Sequence, residues 1–318
     1  MGINNITGAQ SIIQPAVCTS TTRPASPYTG QFIYETDTQR MKVWLGSTWS
    51  TGFQHTDTIP VEYLIIAGGG GGGGSNANNG GAGGGGAGGY RTGSSTISVS
   101  VGTYTVTVGG GGAGGANTGA TGSSGLESGV STITSSAGGG GGGGRLPSSN
   151  GVAGGSGGGG GGDYLGATRT GGAGNTPSAS PSQGNNGGNG FDGVNSSGGG
   201  GGGIGGIGGN AATNTRGLAG AGTSNSITGS AVTYAAGGVG AQPNDGAGVA
   251  GTENRGNGGA GGGATASPVT GGNGGSGVVI IKYLTADAVG RTITGGTATT
   301  SGLYTVRTFT ASGSLVIS

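Results

Sequence analysis

His55 is the single histidine of this 318-residue chain and Cys18 its single cysteine. The side chains that do most nucleophilic, acid–base and metal chemistry are therefore nearly absent. A His/Cys metal centre takes three or four such ligands, and a Ser–His–Asp arrangement would have to recruit His55. That residue sits in Phe53-Gln54-His55-Thr56-Asp57-Thr58, a polar connector, and reads as a solvated linker histidine. Cys18 has no partner for an intrachain disulfide and reads as a buried or inert thiol. The ten acidic residues are spread along the chain, and nothing in the sequence pairs two of them. Matches to G-x-G-x-x-G recur by chance at this glycine content. A dinucleotide site also needs a helix after the glycines, and none follows Gly68–Gly74. The sequence predicts a non-enzymatic protein with no cofactor and no metal.

Partners are bounded in the same way. Eleven basic and ten acidic residues leave a net charge of +1, without the concentrated Lys and Arg that displace counterions from nucleic acid. The longest apolar runs, Leu64 to Ala67 and Val278 to Ile281, fall far short of the roughly 20 residues of a membrane span. The first residues, Met-Gly-Ile-Asn-Asn, show neither the basic nor the apolar region of a secretory leader. Neither nucleic-acid binding nor membrane insertion is expected.

The chemistry left is recognition. Aromatic and Arg side chains anchor contacts, and loops on a rigid scaffold carry binding residues. Candidate receptor contacts are Tyr164 and Arg169, in Asp163-Tyr164-Leu165-Gly166-Ala167-Thr168-Arg169, then Phe191 and Asp192, Arg145, and Arg216. Tyr90-Arg91, Asn244-Asp245 and Glu253-Asn254-Arg255 are further polar inserts. Against this stands a plainer reading, in which Tyr164, Phe191 and Tyr234 cover the edges of a core. Phe32, Tyr34, Trp44 and Trp49 form a second set, suited to attachment on a larger particle.

What must position these groups is unusual. Only 30% of residues are hydrophobic, which rules out an ordinary apolar core for a chain this size. All but ten of the 93 glycines lie within residues 68–277, and the regions read as 1–58, 59–283 and 284–318. In the first, Gln31–Thr36 and Met41–Leu45 form a β-hairpin. A lone hairpin is marginal in water, so its aromatics need another surface. In the second, Val61–Ala67 and Gly277–Tyr283 are short buried-type strands expected to pair and close the region. Thr96–Val101 and Thr103–Val108 alternate cleanly and read as a hairpin around Gly102; Val130–Thr134 is a weaker strand. In the third, Thr292–Thr294, Leu303–Phe309 and Ser314–Ile317 are strands whose edges want partners in other copies of the chain.

Between the strands lie glycine runs at 68–74, 83–86, 109–112, 138–144, 157–162, 198–203 and 261–263. Helix is disfavoured, since each glycine costs about 1 kcal/mol relative to alanine. Collagen is excluded by the broken period and only nine prolines. Packed polyglycine II remains. It is an extended helix of about three residues per turn whose side-chain-free surface lets neighbours bond laterally through N–H and C=O. Several long runs and clamping strands at both borders favour packing over a floppy tether. The expected fold is mainly β with packed polyglycine II helices, no significant α-helix, and an elongated, fibre-like form.

Several segments carry a resemblance. Tyr63-Leu64-Ile65-Ile66-Ala67 running into Gly68–Gly74, Tyr104–Val108 running into Gly109–Gly112, and Gly272–Tyr283 together resemble the glycine-rich domain of bacteriophage tail-fibre and virion proteins. Thr21–Thr38 with Val43–Trp49 resembles a segment recurring in phage structural proteins, and Tyr304–Gly313 resembles strands that accompany such domains. The resemblance implies a virion protein, a fibre or adhesin that stacks polyglycine II helices and presents loops to a host cell-surface receptor. It would be assembled in the host cytoplasm and attached to other virion proteins through residues 1–58. A homotrimer is expected. The alternative is a head or tail decoration with a purely structural role.

Overall fold

The computed structural model describes residues 15–50, 53–54, 58–76, 80–93, 97–131, 133–135, 150–162, 169–288 and 291–318. Two of the candidate receptor contacts, Tyr164 and Arg145, and the glycine run 138–144 lie outside them. The chain divides into two compact units, Met1–Thr58 and Ile59–Ser318. The described residues are mainly β, with no closed barrel and no helix of seven residues or more.

In the first unit four strands, β1 (Ala16–Cys18), β2 (Phe32–Glu35), β3 (Arg40–Val43) and β4 (Phe53–Gln54), form one sheet in that order. The hairpin expected from the sequence is β2–β3, with Phe32 opposite Val43 and Tyr34 opposite Met41. Its turn places Gln39 at φ 52, and β1 adds in parallel on the other side of β2.

The second unit begins with β5 (Thr58–Ile66), β6 (Gly80–Gly81), β7 (Tyr90–Thr92), β8 (Ile97–Ser100), β9 (Gly102–Thr107), β10 (Ser128–Val130) and β11 (Ile133–Ser135). It continues with β12 (Thr223–Asn225), β13 (Val232–Tyr234), β14 (Gly263–Ala264), β15 (Val278–Leu284), β16 (Ile293–Thr294), β17 (Thr297–Ser301), β18 (Tyr304–Phe309) and β19 (Gly313–Ile317). Two sheets carry its apolar core. One runs β17-β18-β15-β5-β7, with β8 also on β5; the other runs β11-β10-β9-β19-β16.

The pairing of β5 with β15 places Ile66 opposite Val278 and Leu64 opposite Ile280. Over Leu64–Ile66 and Val278–Ile281 the strands are buried on both faces, which is why these stretches read as unbroken apolar runs. On one face Ile65, Val279 and Ile281 pack with Val106, Leu315 and Ile317 of the second sheet. On the other, Leu64, Ile66, Val278 and Ile280 pack with Ala87, Ile227, Tyr234 and Ala235.

Three sequence expectations need correction. Strands β8 and β9 do not form a hairpin: β8 pairs with β5, whereas β9 pairs with β10 and β19. A two-residue loop is the usual minimum for reversal, and only Val101 separates the two strands. Gly102 at φ 154 instead bends the chain from one sheet into the other. The 284–318 strands, expected to seek other copies, find partners within the chain. β18 lies between β15 and β17, and β19 between β9 and β16. The segment around Val130 is a small hairpin, β10–β11, rather than one strand.

From the sheets the glycine-rich segments run out and back as a bundle. Its order lies in the main-chain hydrogen bonds. Every N–H from Gly68 to Ser75 donates to another segment, in strict rotation. Gly68, Gly71 and Gly74 donate to Leu126, Ser123 and Ala120. Gly69, Gly72 and Ser75 donate to Gly275, Gly272 and Val269. Gly70 and Gly73 donate to Gly86 and Gly83. The acceptor segment recurs every third residue, so successive N–H groups point about 120° apart, as in a three-residue-per-turn extended helix. The return segment 80–89 is bonded in the same way to 67–75, 156–162, 196–203, 235–242 and 256–263.

Such spacing leaves no room for side chains. A Cβ on Gly72 would stand 2.0 Å from the carbonyl oxygen of Ala260. Gly110 is the contrast: it is exposed, and a Cβ there would meet nothing within 4 Å. At the margins the pattern thins to one inward glycine in three: Gly122-Ser-Ser-Gly125 and Gly217-Leu-Ala-Gly220 bury their glycines, Gly248-Val-Ala-Gly251 half-buries them, and the intervening Leu218 and Val249 are exposed.

Candidate functional site

The hydrogen-bond registers give the bundle two distinct ends. Segments 67–75, 109–116, 120–127 and 269–277 join β5, β9, β10 and β15 at one end. At the other end the chain turns through 117–119, 191–195, 212–215, 243–246 and 265–268. By register, four of the sequence candidates lie at that end: Arg169, Phe191, Asp192 and Arg216.

Arg169 and Phe191 are brought close by main-chain bonding. The N–H of Gly190, one residue before Phe191, donates to the Arg169 carbonyl at 2.8 Å. Phe191 donates its N–H to the Ser197 carbonyl at 2.8 Å and closes the 191–197 turn. Its half-buried ring folds back over Gly193, where a Cβ would stand 3.1 Å from Phe191 Cε1. Its φ of 148° is strained for any other residue, and a Cβ there would also ask the Phe191 ring to give by a few tenths of an ångström. Asp192 is half-buried and Val194 exposed at the same tip.

Arg216 ties two turns together. Its Nη1 donates to Asp245 Oδ2 at 3.0 Å, and the same oxygen accepts from the Gln242 N–H at 3.0 Å. Thr265 Oγ1 donates to Asn244 Oδ1, linking the 243–246 and 265–268 turns. The Arg216 side chain is still 45% exposed, so its remaining donors face solvent. An exposed pair of this kind adds little stability; its effect is to fix the guanidinium in space.

Other inserts lie elsewhere. Tyr234 is buried in the core, as the covering reading has it, and Arg255 stacks on its ring at 5.3 Å; burial pushes its hydroxyl pKa up. Tyr90 lies on β7, at the sheet end, where its hydroxyl accepts from Asn225 Nδ2 at 2.8 Å.

Sequence reasoning missed the asparagines. At outer segments, where a glycine neighbour is lacking, an Asn side chain supplies the acceptor. Asn273 Oδ1 takes the Gly114 N–H, Asn189 Oδ1 that of Gly171, and Asn186 Oδ1 that of Gly174. The signal was the Asn-rich stretch Gly184-Asn-Asn-Gly-Gly-Asn-Gly190, whose spacing matches the three-residue turn.

In the N-terminal unit, Phe32 and Tyr34 share a sheet face with Val17, Met41 and Val43, and Val17, Phe32 and Met41 are exposed. Trp44 and Trp49 meet edge to face, with ring centroids 5.3 Å apart. The other face holds Glu35, fully buried and bonded to Arg23 and to the Thr38 hydroxyl at 2.7 Å, with Lys42 Nζ 3.7 Å away. The Arg23 hydrogen bond holds the Glu35 carboxyl below the usual carboxylate range. Burial and the Glu35 charge push the neighbouring Cys18 thiol up, away from the reactive thiolate.

A family model described as a glycine-rich domain matches residues 47–284. No curated protein and no solved structure matches the chain.

Proposed function

The chain belongs to the glycine-rich domain family, and on that premise we propose that its bundle is polyglycine II and serves as a stiff, non-enzymatic platform for recognition. The protein is then a bacteriophage fibre or adhesin, attached to the particle through the Phe32, Tyr34, Trp44 and Trp49 region and touching a host surface receptor with its loop end. The observation that carries this reading is the gathering of Arg169, Phe191, Asp192 and Arg216 at one end of a bundle bonded every third residue. A lattice of main-chain bonds fixes loop positions without a large apolar core, and fixed loops bind at lower entropic cost. The resemblance of residues 21–49 to phage structural proteins supports attachment at the other region.

The test is binding of the purified full chain to bacterial envelope preparations. Phe191→Ala combined with Arg216→Ala should lower binding, and Leu303→Ala, in an exposed turn on the sheets, should leave it unchanged. Absence of binding to any envelope would favour a decoration role. Equal binding by all three proteins would remove the loop end from the reading.

A further inference from the structure

A cleft of about 480 Å3 lies beside β15, β16 and β18, among the sheets rather than at the loop end. Tyr283 and Ile293 give it an apolar floor, Thr285 and Thr305 hydroxyls, and Arg291 and Arg307 positive charge; no lining residue is acidic. Arg307 is the informative group. Its Nη1 donates to the Gly295 carbonyl at 3.1 Å and its Nη2 to that of Ile293. These bonds fasten β18 of one sheet to the β16 strand and turn of the other. The third donor, Nε–H, is buried and has no acceptor among the described residues. No carboxylate pairs with this guanidinium among the described residues either.

Clipping two sheets together uses two neutral carbonyls and leaves the charge without an opposite. A half-buried cation of this kind is costly unless an anion offsets it. The hydroxyls offer a suitable contact: Thr285 Oγ1 and Thr305 Oγ1 lie 2.9 Å apart. One donates to the other, which leaves the second O–H free to donate outward. We propose that this cleft binds a small oxyanionic group, a carboxylate or a phosphate, held by the field of Arg307 and by the threonine pair. The apolar floor of Tyr283 and Ile293 accommodates whatever small body carries the charge.

The experiment titrates the full-length protein with acetate, inorganic phosphate and, at matched ionic strength, chloride. It follows amide chemical shifts over residues 283–307 and the thermal unfolding midpoint. Saturable changes with acetate, phosphate or both, and none with chloride, are expected; the better oxyanion identifies the group. Arg307→Gln should weaken that binding by about tenfold or more, the scale of one lost charge-assisted contact. Thr305→Val, which keeps the inter-sheet clip, should weaken it by a smaller factor. Failure of both oxyanions to saturate overturns the proposal, as does unchanged binding by folded Arg307→Gln. Should Arg307→Gln not fold, unchanged binding by Thr305→Val overturns it equally.

Discussion

At the scale of single residues, the two glycines Gly72 and Gly110 separate two meanings of one residue type. Gly72 is glycine because a backbone oxygen occupies the place of its Cβ; Gly110 has open space there. Gly72→Ala should therefore cost about 3 kcal/mol or more, since relief requires moving a segment rather than a side chain. Gly110→Ala should change stability by about 0.5 kcal/mol or less, or raise it slightly by stiffening the unfolded chain. Denaturant unfolding of the two variants makes the comparison. Glu35 gives a second residue-scale test. Its folded pKa lies below the unfolded value of about 4.3, so its stabilisation is present above that pH and is lost as pH falls through the folded pKa. Trp44 and Trp49 are the only tryptophans and both lie in the first unit, so their fluorescence reports that unit alone. Its unfolding midpoint should fall with pH below about 4.3, and Glu35→Gln should flatten the decline while lowering stability at neutral pH. Lys42 meets Glu35 across the legible β2–β3 hairpin, but Arg23 reaches Glu35 from the connection between β1 and β2, which no local pattern in the sequence places.

At the scale of elements, β5 and β15 carry the clamp. Ile281 is buried in the core between the two sheets, and Ile281→Ala should cost about 2–5 kcal/mol and loosen the bundle with it, read as lost amide protection in 68–75. These strands were legible because double-sided burial writes an unbroken apolar run. The β2–β3 hairpin was legible because its turn residues are polar and its strands aromatic. The β8–β9 error has the opposite cause. Alternation reports that a strand has one buried face, but not which sheet it joins, and a single intervening residue cannot reverse the chain. The sequence also understated the periodicity of the bundle. Globally the glycine spacing is broken, yet at the margins Gly217-Leu-Ala-Gly220 and Gly248-Val-Ala-Gly251 hold a three-residue repeat where only one side of the segment is buried.

At the scale of the whole molecule, a bundle with few side chains inside must draw its order from amides. Conformational entropy opposes it, since each ordered residue costs roughly 1–2 kcal/mol and glycine more; the lattice holds because many segments bond at once. Composition and run length pointed to such packing. They left open which inserts share an end, because that depends on the direction of each segment, which the hydrogen-bond register sets and no local pattern encodes. Hydrogen exchange at single-residue resolution tests the central claim most directly. Local opening within a cooperative lattice should be rare. Consecutive slow amides are expected from Gly68 to Ser75, every one of which donates across the bundle. Fast exchange is expected at Gly110, Ala113 and Ala116, whose N–H groups have no acceptor among the described residues. Uniformly fast exchange through both segments would contradict the central claim.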